Sequence, residues 1–175
     1  MPRATTRASM PVAFVNSGRS CLKRPDCSVE VVEATVMNVN WSGRQLVTAA
    51  DVVREADLAR YTVLDRARGD EAWVAGDRGS VVGLVWYLFL DAADPGYGYV
   101  ADEVPELCVC VWPGHRGAGL GERLVRHACD RAADRGVTRI SLSVETGNPA
   151  RRLYERLGFV DVPGADEGTM VRTLT

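Results

Sequence analysis

Lysine, excess charge of either sign and long hydrophobic runs are what this sequence lacks. Lys23 is the only lysine, and the 21 basic residues almost balance the 23 acidic ones, leaving a net charge of -2 and an isoelectric point near 5.7. Proteins that bind nucleic acid mainly through its phosphates need a basic excess, so this balance disfavours that class. No stretch of about 18 uncharged apolar residues occurs, so we expect no membrane-spanning helix.

The cysteines show no metal-binding spacing. The five are Cys21, Cys27, Cys108, Cys110 and Cys129. Cys108 and Cys110 alternate within an apolar run, so both thiols should point to one face of a strand. We interpret the cysteines as reduced core residues, which predicts no metal site and a location in the reducing cytoplasm.

Length and composition favour one folded domain behind a poorly specified start. The chain has 175 residues, 46% of them hydrophobic, which is enough for one core and too many for global disorder. Residues 1–28 show little periodicity apart from an apolar patch at 12–15, which predicts one short strand in an extension. No continuous apolar core follows the basic start, so we expect no signal peptide. The single domain is placed at 29–175.

The remaining sequence alternates helical and strand patterns. Apolar residues recur at helical spacing after Ser28, after the capping-box candidate Thr48-Ala-Ala-Asp51, and from Leu120 to Ala132. The predicted strands are 72–75, 81–90, 107–112, 140–144, 159–162 and 169–174, and a short helix is predicted at 149–157. This order predicts a mixed α/β sheet with at least one parallel crossover.

The strongest functional signal is the glycine-rich turn at 111–121, Val-Trp-Pro-Gly-His-Arg-Gly-Ala-Gly-Leu-Gly. It lies between a predicted strand and a predicted helix, where free amides and the helix dipole favour an anion, and glycines let it approach the backbone. Arg116 adds a charged donor. The same glycines are also compatible with an ordinary tight turn.

Two nucleotide-binding motifs fail letter by letter. A P-loop needs Lys and then Ser or Thr after its last glycine, but Glu122 and Arg123 follow Gly121. A dinucleotide motif of the form GxGxxG starting at Gly117 needs a third glycine where Glu122 stands, and the register starting at Gly119 fails in the same way.

The letters that do fit are Arg-x-x-Gly-x-Gly at 116–121, after a Val-x-Pro strand exit. A second motif, Asn-Pro-Ala-Arg-Arg-Leu-Tyr-Glu-Arg-Leu-Gly-Phe, follows at 148–159. In this order, with one strand and one helix between them, the two motifs resemble the GNAT family of N-acetyltransferases. The resemblance runs over about 73–159, is strongest over 105–159, and is weaker over 41–61.

The resemblance implies a mixed, mostly antiparallel central sheet with one splayed parallel strand pair, flanked by helices. It also implies acetyl-CoA as co-substrate and no metal. The pantetheine arm would bond to the backbone of Val109, Cys110 and Val111 in the gap of the splayed pair. The pyrophosphate would be held by Arg116, Gly117, Ala118, Gly119, Leu120 and Gly121. Asn148 would contact the pantetheine or the adjoining backbone, or cap its helix.

The same resemblance implies direct transfer of an acetyl group to a primary amine. Tyr154 is placed like the tyrosine that often protonates the departing CoA thiolate, and it is also compatible with simple packing on the sheet. The acceptor amine must lose a proton. Glu106 is the first candidate base, directly or through water, Glu145 is the second, and Asp102 and Glu103 are the third.

The acceptor is the least specified part of the site. Aromatic and acidic residues predict a mouth suited to a cationic amine. These residues are Trp41, Trp86, Tyr97, Tyr99, Asp91, Asp94, Asp102 and Glu103. We interpret His115 as a surface residue and His127 as a structural one. The acceptor is a small-molecule or peptide amine, and exposed strand edges make a homodimer plausible. Two alternatives stay open: a non-catalytic acyl-CoA-binding or regulatory module on the same scaffold, and the same chemistry with a longer acyl chain.

Overall fold

The fold is built on a seven-stranded sheet. The computed structural model describes residues 13–16, 29–77 and 80–175. Its strands are β1 Ala13–Asn16, β2 Glu71–Asp77, β3 Ser80–Leu88, β4 Glu106–Val111, β5 Arg139–Ser143, β6 Val160–Asp161 and β7 Thr169–Thr173. Their order across the sheet is β1-β2-β3-β4-β5-β7-β6. Only the β4–β5 pair is parallel among these strands, which confirms the mostly antiparallel sheet.

Helices flank this sheet, and most lie where the sequence predicts them. They are α1 Val29–Val39, α2 Ala49–Arg54, α3 Ala56–Ala59, α4 Leu120–Asp134 and α5 Arg151–Arg156, with a 3₁₀ turn at Arg60–Thr62. The predicted capping box is present, because the Thr48 side chain accepts from the Asp51 amide and the Asp51 carboxylate accepts from the Thr48 amide. None of the helices in the described ranges is long and apolar enough to cross a membrane.

One helix that was predicted to be continuous is interrupted in the structure. The helical spacing after the Thr48 capping box predicts one helix, but the backbone leaves helical geometry at Glu55, where φ is -79° and ψ is 116°. The chain therefore changes direction between α2 and α3. This break is followed by the 3₁₀ turn, which brings Tyr61 into the core beneath the sheet.

Three strand predictions differ from the structure in length or place. The strand β2 continues to Asp77, because Gly76 and Asp77 still pair with Val81 and Ser80 after a register shift that leaves Val82 of β3 as the extra residue. The strand β6 has only two residues, because after the Val162 amide donates to the Thr169 carbonyl at 3.1 Å the chain turns back into β7. The strand β1 comes from the predicted extension and pairs with β2 at the sheet edge.

Apolar side chains fill a core layer on each face of the sheet. On one face, α4 presents Leu124, Val125 and Ala128 to β2, β3 and β4. On the other face, α1 presents Val31 and Ala34 to the strands. The strand β4 is therefore covered on both sides, and its residues alternate between the two layers.

Candidate active site

The parallel strands β4 and β5 touch at one position and then separate. Glu106 is paired with Ser141, and the Ser141 amide donates to the Pro105 carbonyl at 3.0 Å. No further register pair joins these strands in the described part of the chain. A gap therefore opens between them just after Glu106.

The backbone of β4 offers free groups to this gap. The Trp112 amide donates to the Val82 carbonyl on β3, and Cys110 is paired with Leu84 on the same strand. Antiparallel pairing alternates along a strand, so the N–H and C=O of Cys110 point to β3, while those of Val109 and Val111 point to the gap. Of the three residues whose backbone was predicted to contact the pantetheine arm, Val109 and Val111 therefore face the gap, whereas Cys110 faces β3.

The glycine-rich turn lies at the open end of this gap and leads into α4. Gly117 and Gly119 adopt left-handed conformations with φ of 77° and 78°, which side chains disfavour. A Cβ on either residue would meet no atom within 4 Å, so the space above the turn is open. Gly119 precedes Leu120 without a side-chain cap, leaving the first amides of α4 for a ligand. Arg116 is exposed, and its Nε donates to the Val111 carbonyl at 2.9 Å.

Glu106 is a buried carboxylic acid at the start of the gap. It is only 4% exposed, and its Oε1 accepts a hydrogen bond from the Tyr61 hydroxyl at 3.0 Å. Its Oε2 has no hydrogen-bond partner among the described residues. Burial raises the pKa of Glu106 to about 7, although the Tyr61 hydroxyl and the Gly98 amide offset part of this increase. A base with a pKa near neutrality can exchange protons in both directions at physiological pH.

Tyr154 lies in α5, with its ring packed edge-on to Phe159 at a centroid distance of 5.9 Å. Burial, then the nearby thiols of Cys108 and Cys110, raise its pKa above that of a free tyrosine. Those thiols belong to the α1 face of β4, whereas the ring belongs to the α4 face. The ring therefore lies in the core layer on the α4 side of β4, and the phenol keeps its proton at neutral pH.

The other candidate bases are exposed and already have partners. The Glu145 carboxylate accepts a hydrogen bond from the Trp41 indole. Asp102 accepts from the Tyr99 hydroxyl at 2.5 Å, and Glu103 forms an ion pair with an arginine of β5 at 3.0 Å. Of the four candidate bases, Glu106 is therefore the only one that is buried beside the gap.

Asn148 and His127 make structural contacts, whereas His115 is a surface residue. The Asn148 side-chain oxygen accepts from the Ala150 amide at 3.0 Å, which holds the turn that enters α5. His127 packs edge-on against Trp73 at a centroid distance of 5.2 Å, as expected of a structural residue. His115 is exposed on the glycine-rich turn.

The predicted acceptor mouth is only partly assembled. Trp86 is fully buried, and its indole donates to the Tyr61 carbonyl at 3.0 Å, so assigning it to the mouth was wrong. Alternation along β3 places this side chain in the core layer under α1. Tyr97 is 54% exposed and lies over Tyr61, with the rings 5.9 Å apart and nearly parallel. Asp94 lies beside this pair and forms an ion pair with Arg60.

Sequence reasoning missed two residues that contact Glu106. Tyr61 lies 45 positions away from it, and nothing in its local pattern distinguishes it from other apolar positions. Gly96 faces the same carboxylate, and a Cβ there would collide with Oε2 and the Tyr61 hydroxyl. For this contact, the only signal in the sequence was the glycine itself, which stands in an acidic loop without periodicity.

The cysteines of the described residues are buried or half-buried. Cys108, Cys110 and Cys129 are free thiols, while Cys21 and Cys27 lie outside the described residues. Burial raises the pKa of Cys110 to about 12 and that of Cys129 to about 11. In residues 13–16, 29–77 and 80–175, no group of three or more His, Cys, Asp or Glu side chains is arranged to hold a metal ion.

Comparisons with known proteins agree with this geometry. A streptothricin acetyltransferase from Streptomyces lavendulae is 50% identical over 50 residues, 28% of this chain and 26% of that relative. A mycothiol acetyltransferase from Beutenbergia cavernae is 39% identical over 93 residues, 51% of this chain and 28% of that relative. This chain thus matches about a quarter of the length of each relative.

The fold comparison covers more of the molecule. A structure from Salmonella typhimurium, assigned as an acetyltransferase and solved with its cofactor acetyl-CoA, superposes with a TM-score of 0.61 at 22% identity. The superposition covers 94% of this chain and 95% of that one. The family model for the acetyltransferase (GNAT) family matches residues 39–159, which is more than half of the chain. With its splayed strands and glycine-rich turn, this chain belongs to the GNAT acetyltransferase family.

Proposed function

We propose that this protein is an acetyl-CoA-dependent N-acetyltransferase that moves an acetyl group directly to a primary amine. One observation carries the proposal: the buried Glu106 carboxylate, with its pKa raised by burial to about 7, lies where β4 and β5 separate. In its ionised form, a carboxylate at this place would remove a proton from an amine that enters the gap, directly or through one water.

The cofactor side of the proposal depends on backbone groups. The gap-facing N–H and C=O groups of Val109 and Val111 are free to bond to a pantetheine arm, apart from the Val111 carbonyl that Arg116 already occupies. The open cradle of Gly117, Gly119 and the first turn of α4 suits a pyrophosphate. The remaining N–H groups of Arg116 are available as charged donors to it.

Acetyl-CoA supplies the activated thioester. Glu106 holds the proton taken from the acceptor amine, and Tyr154 donates the proton that the departing sulfur needs. The Cys108 thiol interacts electrostatically with both groups: after burial, the Glu106 charge raises the pKa of Cys108, and the Cys108 thiol contributes to the raised pKa of Tyr154. Positioning in a shielded gap, rather than a covalent enzyme intermediate, is then the main source of rate.

We propose a cationic amine as the acceptor. Asp57 and Asp94 are exposed beside Tyr97, and both share the Arg60 guanidinium, so this part of the surface has an excess of negative charge. An exposed tyrosine with acidic neighbours favours a protonated amine. The two curated relatives are named for different acceptors, so this proposal rests on the charge of this chain alone.

A thiol-release assay with acetyl-CoA and a panel of mono-, di- and polyamines tests the proposal. We expect turnover that is fastest for amines with a second positive charge, and slower for a neutral analogue of the same length. Binding of CoA measured by calorimetry is the control. Tight CoA binding without turnover of any amine would refute catalysis and favour the non-catalytic acyl-CoA-binding module.

A further inference from the structure

Tyr61 connects the candidate base to the loop on the acceptor side. It comes from the 3₁₀ turn Arg60–Thr62, outside both motifs, and is 6% exposed. Its hydroxyl contacts two groups: the Glu106 Oε1 at 3.0 Å and the Tyr97 backbone amide at 2.6 Å. Its carbonyl accepts the Trp86 indole N–H, which fixes the backbone of the turn.

The direction of these hydrogen bonds is set by the chemistry of the donors. A backbone amide can only donate, so the Tyr61 oxygen accepts from Tyr97. The hydroxyl has a single hydrogen, and that hydrogen is left for Glu106. Burial, followed by the charge of Glu106, raises the pKa of Tyr61 above that of a free tyrosine, so the hydroxyl remains a donor throughout the physiological range.

The loop backbone closes on the same carboxylate from the other side. Gly96 lies against Oε2 so closely that any side chain there would displace the carboxylate or the Tyr61 hydroxyl. The Tyr97 carbonyl accepts from the Thr169 hydroxyl at 3.2 Å, which ties this loop to β7. The carboxylate is thus held between a fixed loop and one side-chain donor.

Few other charged or titratable groups face Glu106. Arg60 acts on it from the 3₁₀ turn, but its guanidinium is shared between Asp57 and Asp94. Cys108 on β4 keeps its proton because burial raises its pKa. The neighbouring positions of β5 and β3 are Ser141 and Leu88, which carry no charge. Tyr97 faces Glu106 from the loop, and Tyr61 is the side chain that bonds to it directly.

We propose that Tyr61 is a positioning residue for the base: its hydroxyl fixes the Glu106 carboxylate and stabilises the ionised form that accepts the proton. This inference deepens the proposed function and rests on it for its catalytic meaning. Without the hydroxyl, Glu106 keeps its burial but loses its side-chain donor, the larger of the two hydrogen-bond contributions that lower its pKa, so it binds a proton more tightly. The base is then mostly protonated at neutral pH and becomes available only at higher pH.

The test compares two buried tyrosines that each donate to a carboxylate. Tyr61→Phe removes the hydroxyl near Glu106 and keeps the ring that packs on Tyr97. Tyr87→Phe is the matched control, because the Tyr87 hydroxyl donates to Glu71 at 2.9 Å on the opposite face of the sheet. Carbon-13 NMR of protein labelled at the glutamate carboxyl carbons follows the titration, with the Glu106 signal assigned by its loss in Glu106→Gln.

We expect the Glu106 midpoint to rise by about one pH unit in Tyr61→Phe, the usual worth of a hydrogen bond to a charged group, and to stay unchanged in Tyr87→Phe. The kcat of Tyr61→Phe should fall about fivefold at pH 7, where the ionised fraction of Glu106 drops from about one half to about one eleventh, and recover by pH 9, with the KM for acetyl-CoA unchanged. An unmoved midpoint, or a loss of kcat that is equal at all pH values, would overturn the proposal.

A second substitution keeps the proposal testable if Tyr61→Phe does not fold. Replacing Tyr61 by 3,5-difluorotyrosine strengthens the donor with little change of shape, so the Glu106 midpoint should fall, opposite in sign to Tyr61→Phe. A midpoint that rises or stays constant would contradict the role of Tyr61. If no amine is turned over but the midpoint moves as expected, the proposed function fails and the positioning of the carboxylate stands.

Discussion

The two ends of the candidate site are built in opposite ways. Around Glu106, the buried Tyr61 side chain of the 3₁₀ turn contacts both the carboxylate and the backbone of the 91–104 loop, and Gly96 of that loop lies against the same carboxylate. At the turn 113–119 all residues are exposed, and three glycines with positive φ shape the backbone. The base end depends on packing between distant segments, whereas the phosphate end depends on local backbone conformation. Substitutions at the two ends should therefore fail differently.

The largest effect is expected from Glu106→Gln. The amide keeps the size of the side chain but cannot accept the proton, so kcat/KM should fall about 100- to 10,000-fold. The measurement is thiol release at pH 7.5 with the best amine. Glu145→Gln is the matched control, because Glu145 is an exposed acid bonded to Trp41. A larger loss in Glu145→Gln than in Glu106→Gln would reverse the assignment.

The same substitution should change stability in a pH-dependent way. The pKa of Glu106 is raised from 4.5 to about 7, so the folded state holds the proton more tightly than the unfolded state. Its contribution to stability is complete below about pH 4.5 and is lost as the pH rises through 7. We therefore expect the free energy of unfolding of Glu106→Gln, relative to that of the wild type, to increase by about 3 kcal/mol between pH 4 and pH 9, as measured by urea denaturation. A constant difference across this range would show that the acid is not buried in charged form.

Tyr154→Phe should have a smaller effect than Glu106→Gln. A thiol has a pKa near 8.5, so the departing thiolate needs only modest help at neutral pH. We expect kcat to fall about tenfold with unchanged affinity for CoA, since the ring packing against Phe159 survives. Steady-state kinetics with calorimetry of CoA binding separate these effects. Unchanged kcat would assign Tyr154 to packing alone.

The smallest effect is expected at the phosphate end, from Gly119→Ala. Alanine in the left-handed region costs about 1 to 2 kcal/mol. Relaxation of the turn should weaken CoA binding about fivefold. Gly136→Ala is the control: it has φ of 82° at the far end of α4 and open space around it. Both variants should lose similar stability, but only Gly119→Ala should lose affinity. Equal CoA affinity in both would remove the turn from the binding site.

The contrast between the two ends also explains what the sequence could predict. The phosphate turn lies within eleven consecutive residues, so its glycines and Arg116 are visible as a motif. Glu106 could be proposed from its place at the start of a strand. Tyr61 and Gly96 could not, because their importance depends on a contact across 45 residues and on the space left by a missing side chain. Trp86 was misplaced because strand alternation does not reveal that both faces of β3 are covered by core residues.

The helix and strand limits that depend on local patterns could also be predicted, whereas those that depend on distant contacts could not. The Thr48 capping box and the α4 periodicity are local patterns, and both are found in the structure. The break at Glu55 has no glycine or proline to announce it, and it matters because it delivers Tyr61 to the base. Local signals thus predicted the scaffold and the cofactor turn, while the environment of Glu106 required the folded chain.

The pH dependence of kcat/KM for acetyl transfer to the best amine tests the central claim most directly. With Glu106 as the base, the wild type should show an acid limb with a pKa near 7, and that limb should be absent in Glu106→Gln, whose residual rate should be flat over the same range. An acid limb of the same midpoint in both proteins would contradict the account, because another group would then be the base.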